Sequence, residues 1–307
     1  RALLEYARNI GDSAVRDNIL QMTERTLVRA REINPLNTDH SANLARMYNV
    51  WAQLVTMDAA NSQDVGTQQQ LLRRSAELFQ RASENYALAT MLSPNHALLR
   101  NQWCSLYLSM YNLMKNQEAV FSALGDAAAA QGAAQEALSY MMKAQETISY
   151  SLAIDPDYDE SWLMQADVYT VQGLVTGTIS AYQRALEINP NLTDVWFRLG
   201  DLYVNQGRWA EASGAYEKAL ELNPSHVQGW RVLGSVYAQL GRPEDAVTAL
   251  QRALELDPQG GNAWDVHRVL AVVYHQLGQN AQALYHAQTA LQLAPEDQQP
   301  AMQELVG

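Results

Sequence analysis

Six histidines, one cysteine and scattered carboxylates are the residues here with chemistry to offer, and their spacing decides what they can do. His267 and His275 lie eight residues apart, which on a helix is about 80° of rotation and ~12 Å of rise. That is too far to share a metal ion, so both read as polar residues on a repeat surface. Cys104 is alone, which rules out an intrachain disulfide and any CxxC metal or redox site. No motif sets a histidine beside it, so it reads as a small buried residue rather than a nucleophile. The chain has no Gly-rich loop ending in Gly-Lys-Ser/Thr, no GxGxxG, no GxSxG and no HExxH. Asn191-Leu192-Thr193 matches a glycosylation acceptor but overlaps a repeat turn. Nothing supplies an acid–base pair or a nucleophile with a positioned partner, so the expectation is a non-enzyme with no metal and no cofactor.

The charge balance points the same way. Lys+Arg is 21 against Asp+Glu 33, a net charge of −12 over 307 residues. A nucleic-acid binder needs a basic stripe to displace counterions, and an anionic membrane surface selects the same sign. No stretch approaches the ~18 consecutive apolar residues of a membrane span, and no signal peptide is visible. The apolar fraction of 48% is ample for a core. Position 1 is Arg rather than Met, so the chain reads as a piece of something longer.

The elements that must position any site are announced by the prolines. Pro35, Pro94, Pro156, Pro190, Pro224, Pro258 and Pro295 follow one pattern, and from Pro156 to Pro258 the spacing is 34 three times running. Ala30-Arg-Glu-Ile-Asn-Pro35 matches Ala185-Leu-Glu-Ile-Asn-Pro190, Ala219-Leu-Glu-Leu-Asn-Pro224 and Ala253-Leu-Glu-Leu-Asp-Pro258. Each reads as a helix C-terminus followed by a residue that cannot continue the helix. Aligned on these prolines, Trp162, Trp196 and Trp230 share one slot, and Leu199, Leu233 and Leu270 another. Gly200 and Gly234 follow, then Tyr48, Tyr107, Tyr169, Tyr203, Tyr237 and Tyr274, then the turn residues Gly173, Gly207, Gly241 and Gly278. A period in this range signals a helical repeat array. Each unit holds two apolar-periodic segments of helix length, and the shared turn Gly sits where a left-handed C-cap is wanted.

This order of aromatic, small, aromatic, turn Gly, small, aromatic, small and Pro resembles the tetratricopeptide repeat family. The expectation is an all-α solenoid of stacked antiparallel helix pairs, its right-handed superhelix implied by the resemblance. We read 1–307 as one such domain: an opening unit at 1–35, enlarged repeats at 38–94 and 97–156, and regular repeats at 159–190, 193–224, 227–258 and 264–295. A partial cap follows at 296–307. The polar stretch Asn61–Gln70 is expected as an exposed loop between long helices. The Ala-rich stretch Gly125–Ala134 is expected to break at Gly125 and Gly132, between long helices over Asn101–Ala123 and Gln135–Ala153. A small insertion is expected at Gly261–Ala263.

In that family the concave face is built by the first helix of each pair and carries the ligand. Mapping its groove positions implies Glu160, Leu163, Asp167 and Thr170, then Asp194, Phe197, Asp201 and Asn205. Gln228, Arg231, Ser235 and Gln239 follow, then Asp265, Arg268 and His275. Glu160, Asp167, Asp194 and Asp201 make the early part acidic, and Arg231 and Arg268 make the later part locally basic. Phe197, if exposed, would anchor a peptide or an aromatic-loving ligand. The carboxylate clamp of chaperone co-factors in this family is not matched. Its slots hold Leu163 and Asp167, Arg198, and Gln228 and Val232, and one repeat later Phe197 and Asp201, Val232, and Asp265 and Val269. Acidic residues where the clamp uses Asn would repel a carboxylate.

Asn34–Tyr48 followed by Trp51 also resembles the first repeats appended to bacterial membrane proteins of the O-antigen ligase and polymerase type. Two functions follow from these resemblances. One is a non-catalytic scaffold binding an extended protein or peptide segment. The other is a soluble accessory domain of such a membrane protein, docking glycan or an assembly partner. Exposed aromatics at Phe197 or Trp51 would favour sugar stacking, and buried ones the peptide scaffold. Homo-oligomerisation through end faces is open on this reading, as is the cellular location.

Overall fold

A computed structural model describes residues 2–306, and every regular element among them is a helix. Two compact units divide the chain, one ending at Ile188 and the other starting at Asn189. The first holds α1 (Ala2–Arg8), α2 (Ser13–Ile33), α3 (Thr38–Asn61), α4 (Val65–Leu92), α5 (Ala97–Ala123), α6 (Ala127–Ile154), α7 (Asp159–Val171) and α8 (Val175–Ile188). The second holds α9 (Thr193–Asn205), α10 (Trp209–Leu222), α11 (Val227–Gln239), α12 (Pro243–Leu256), α13 (Ala263–Gln276), α14 (Asn280–Leu293) and α15 (Gln299–Val306). Within each unit consecutive helices pack as pairs, and each pair packs on the next, so the fold is a solenoid of helix pairs. Among the described residues no helix is long and apolar enough to cross a membrane.

The turn glycines make the pairs possible. Gly125, Gly173, Gly207, Gly241 and Gly278 have φ between 68° and 76°, the left-handed region that costs a side chain dearly. The next residue's N–H then reaches back to the carbonyl of the aligned tyrosine: Leu174 to Tyr169 at 2.9 Å, Arg208 to Tyr203 at 2.9 Å, Arg242 to Tyr237 at 2.9 Å and Gln279 to Tyr274 at 2.8 Å. That six-to-one bond closes a Schellman cap and explains why each first helix ends on a glycine. The Trp–Pro spacing has a cause of the same kind. The indole Nε1 of Trp162, Trp196 and Trp230 donates to the carbonyl of Pro156, Pro190 and Pro224 at 2.8–2.9 Å. These half-buried tryptophans brace the inter-repeat turn, and Trp230 also packs against the second unit's core.

Inside a pair, small residues admit large ones. A methyl group on Gly200 would meet the Tyr216 ring at 2.8 Å, and one on Gly234 would meet Leu250 at 2.5 Å. Tyr216, Leu233, Leu250 and Leu270 fill the second unit's core. Leu20, Leu44, Met47, Phe79, Tyr86, Leu106 and Ile148 fill the first unit's. The C-terminal helix α15 seats Met302 against Ala290 and Ala294.

Three local expectations are corrected. The loop expected over Asn61–Gln70 is confined to 62–64, because the Asp64 carboxylate caps α4 by accepting from Thr67 N at 2.7 Å and the glutamines beyond are good helix formers. Gly132 does not break the chain but lies inside α6, carried by the alanines around it. Ala263 is the first residue of α13 rather than part of an insertion.

Candidate functional site

The family-implied positions fall on the first helices of their pairs, and their environments divide them. On α7, Glu160 is exposed and accepts from the Tyr158 hydroxyl, Leu163 and Asp167 are half-buried, and the Thr170 hydroxyl donates to its own helix at Ala166 O. In the second unit, Asp194, Asn205, Gln228, Gln239 and His275 are exposed on α9, α11 and α13. Asp201 is exposed but accepts from the Tyr216 hydroxyl, whose ionisation burial and this carboxylate both oppose.

The two arginines of the later part are tied to one carboxylate, which leaves that part locally basic by a single charge. Arg231 reaches from α11 to the Asp265 carboxylate on α13, and Arg268 donates to the same group at 2.6 and 2.9 Å. Arg231 Nε also donates to Gln228 at 3.0 Å, and its backbone carbonyl accepts from Ser235. Arg231, Asp265 and Arg268 therefore form one braced, bridged cluster carrying a single net positive charge. Phe197 is half-buried and covered, with the His226 ring at 4.1 Å and the Tyr216 ring at 6.0 Å. Trp51 is buried in the first unit and donates to Asp17 at 2.7 Å.

The remaining candidates resolve on geometry. Cys104 is fully buried, donates to Ala144 O at 3.4 Å, and has its thiol pKa pushed up to about 12 by burial. His267 faces not His275 but His286, with their Nδ1 atoms 2.8 Å apart and Tyr274 stacked on His286. Burial and the neighbouring ring hold His286 down at about 4, and burial lowers His267. Among the described residues no group of three or more His, Cys, Asp or Glu is placed to hold a metal ion.

Sequence reasoning missed a cavity in the first unit. It has a volume of about 410 Å3 and is lined chiefly from α1, α3, α5 and α7. Leu4, Val50, Leu98 and Met164 give it apolar walls, and Arg8, Arg46, Glu5 and Glu160 give it charge that sums to zero. Asn49, Asn101, Gln102 and Ser105 add polar groups. Arg46 ties α3 to α5, donating from Nε to Gln102 Oε1 at 2.9 Å and from Nη1 to Asn43 Oδ1 at 2.8 Å. Asn101 is only 4% exposed. Its Oδ1 accepts from Ser151 at 2.6 Å and from Ser161 at 3.2 Å, while its Nδ2 is buried with no hydrogen-bond partner. An unmade bond of this kind costs ~1–3 kcal/mol. The readable signal was the spacing of Asn43, Arg46, Asn49 and Gln53, which puts polar side chains on one stripe of an otherwise apolar helix.

With these arrangements in hand, comparison with known proteins is decisive about kind. A tetratricopeptide-repeat family model, that of the Cilia and flagella-associated protein 70 C-terminal domain, matches residues 118–304. The chain belongs to this family. Among solved structures it is similar to YrrB, described as a TPR protein with an unusual peptide-binding site: 16% identity, 72% of this chain and 98% of that one covered, TM-score 0.54. It is also similar to MamA, at 19% identity, 55% and 96% coverage and TM-score 0.44. MamA from Desulfovibrio magneticus RS-1 gives 16% identity, 60% and 94% coverage and TM-score 0.43. No curated protein sequence matches. The likeness to YrrB is one of repeat architecture, which in this chain sets α3 beside α5, α5 beside α7 and α11 beside α13.

Proposed function

We propose that this chain is a non-catalytic interaction scaffold whose first-helix faces bind an extended partner segment. The observation that carries the reading is the braced polar face of the second unit. Arg231, Asp265 and Arg268 lock α11 to α13, Gln228 braces Arg231, and Gln239 and His275 are exposed on the same helices. Such a face is ordered before a ligand arrives, so binding loses little side-chain entropy. A peptide is the natural occupant of a row of amide, carboxylate and guanidinium groups, because its backbone presents donors and acceptors in alternation. YrrB, of the same fold, is described as having a peptide-binding site, which agrees with this reading.

The aromatic test favours peptide over glycan. Trp51 is 4% exposed, and Phe197 lies under His226, so neither offers an open ring face for a sugar. The accessory-domain alternative therefore draws no support from either residue.

Selection from a random dodecapeptide library on the intact chain, followed by calorimetry, tests the scaffold. Selected peptides should bind with Kd in the micromolar range, and Gln228→Ala with Gln239→Ala or Arg46→Ala should weaken at least one class about tenfold. Failure to select any peptide, or selected peptides indifferent to every first-helix substitution, would sink the reading.

A further inference from the structure

Arg46 stands apart among the arginines that reach between helices of the first unit. Arg16, Arg74 and Arg81 each meet a carboxylate, on Asp58, Asp17 and Glu24. Arg46 is half-buried, yet its Nε and Nη1 meet only the neutral amide oxygens of Gln102 and Asn43. Those two bonds hold the plane of the guanidinium. The remaining nitrogen, Nη2, has no protein partner and keeps accessible surface in the cavity wall. A braced guanidinium with an open nitrogen is placed to receive a carboxylate from outside the chain.

The opposite charge faces the same cavity from α7. Glu160 accepts from the Tyr158 hydroxyl through Oε2, while its Oε1 accepts nothing from the chain. Burial and Glu160 itself both oppose ionisation of Tyr158, so the phenol stays a donor and keeps the carboxylate placed. Glu5 and Arg8 add one exposed charge of each sign from α1. None of these four groups is ion-paired with another. Two charges of each sign, not neutralised by one another, select neither a simple anion nor a simple cation. They are complementary to a ligand that carries both signs. Leu4, Val50, Leu98 and Met164 wall the same space, so the body between those charges is apolar. The volume of about 410 Å3 lies at the small end of the ~300–1,000 Å3 range of small-ligand sites.

We propose that this cavity binds a small aliphatic zwitterion, a free amino acid or a dipeptide, whose carboxylate accepts from Arg46 Nη2 and whose ammonium donates to Glu160 Oε1. This goes beyond the scaffold reading, because it needs two free charged ends that an extended internal segment lacks. It neither requires nor replaces the polar face of the second unit.

Calorimetry and NMR titration of the intact chain test it with leucine and leucyl-leucine. The tighter of the two is then compared with its N-acetyl form, its amide, its doubly capped form and its all-glycine counterpart. At least one leucine zwitterion should bind saturably with Kd of about 1 mM or below, and which one is tighter reads the span from Arg46 to Glu160. Each cap should weaken binding about tenfold or more, because it removes one charge-assisted bond. The glycine counterpart should be about tenfold weaker, from lost aliphatic burial. Arg46→Gln should weaken the zwitterion about tenfold and leave the amide's affinity unchanged. Glu160→Gln should weaken it likewise and leave the N-acetyl form unchanged. Glu160 is exposed, so its variant serves should Arg46→Gln fail to fold. Neither zwitterion binding at up to about 10 mM would overturn the proposal. A doubly capped form as tight as the free one would overturn it too, and return the cavity to the scaffold groove. An N-acetyl form or an amide matching the zwitterion would overturn it by showing that one sign alone is read. A glycine counterpart of equal affinity would overturn the apolar body, and binding unchanged in both variants would put the site elsewhere. Peptide selection with Gln228 and Gln239 substituted is untouched by these results, so the scaffold reading stands or falls separately.

Discussion

The enlarged repeats of the first unit and the regular repeats of the second use apolar packing and charged ties in different proportion. In the second unit the helices run 13–14 residues from α9 to α14, and large side chains close over glycine and alanine. In the first, α3 to α6 run 24–28 residues, and the helix that opens the array is fastened by charge. Asp17, Glu24 and Arg31 recur every seven residues along one stripe of α2. Asp17 takes Arg74 at 2.7 Å and the Trp51 indole, Glu24 takes Arg81 at 3.3 Å and the Tyr48 hydroxyl, and Arg31 donates to Asn85 at 2.6 Å. Burial, with Glu24 beside it, pushes the Tyr48 hydroxyl up to about 12. Arg16, nearly buried, adds an ion pair to Asp58. A close-packed joint leaves no room between helices. The cavity of the first unit lies elsewhere, lined chiefly from α1, α3, α5 and α7.

Substitutions should therefore fail in opposite directions. Removing a group should hurt the first unit most. Asp58→Ala strands the buried Arg16 guanidinium and is expected to cost ~3–5 kcal/mol in denaturant unfolding. A cost under ~1 kcal/mol would show that water reaches Arg16 and that the charged joint is soft. Adding a group should hurt the second unit. Gly200→Leu drives a side chain into the Tyr216 ring and is expected to cost ~1–3 kcal/mol or more. A variant that melts like the parent would put the repeat register in error.

Acid should also discriminate. The folded-state pKa of His286, about 4, and the lowered value of His267 lie below the ordinary histidine value of 6.5. The unfolded chain then takes up protons first as pH falls, so stability present above pH 6.5 is lost progressively towards pH 4. Thermal melts of the intact chain should show this loss, and His286→Phe should flatten it. An unchanged slope in that variant would assign the acid sensitivity elsewhere. The smallest effect expected is a gain. Gly132 sits in mid-helix with open space where a Cβ would go, so Gly132→Ala should stabilise by ~0.5–1 kcal/mol.

The fold was legible because each repeated residue reports a backbone necessity. Gly207 reports a left-handed cap, Pro224 a helix that has ended, and Trp230 the carbonyl it must reach. These are local, so one sequence shows them. Loops were misjudged where polarity stood in for conformation. The run from Asn61 reads as a linker by composition, yet Asp64 is an N-cap and Gln68–Gln70 are helix formers. The site was harder to read, because charges that look alike in sequence differ in what crosses to meet them. Arg231 and Arg268 read as locally basic, but the sequence does not show that Asp265 takes up both and leaves one net positive charge. Likewise His286, nineteen residues from His267, meets it only because α13 and α14 are paired. Asn101 lay outside any motif, since an unmet donor is visible only once its surroundings are built.

Photo-cross-linking tests the central claim most directly. A library-selected peptide carrying a diazirine at its centre would be bound to the intact chain, irradiated, and its attachment points mapped by mass spectrometry. The account predicts attachment on the first helices of pairs, α3, α5 and α7 or α9, α11 and α13. Attachment confined to α4, α6, α10, α12 or α14 would contradict it.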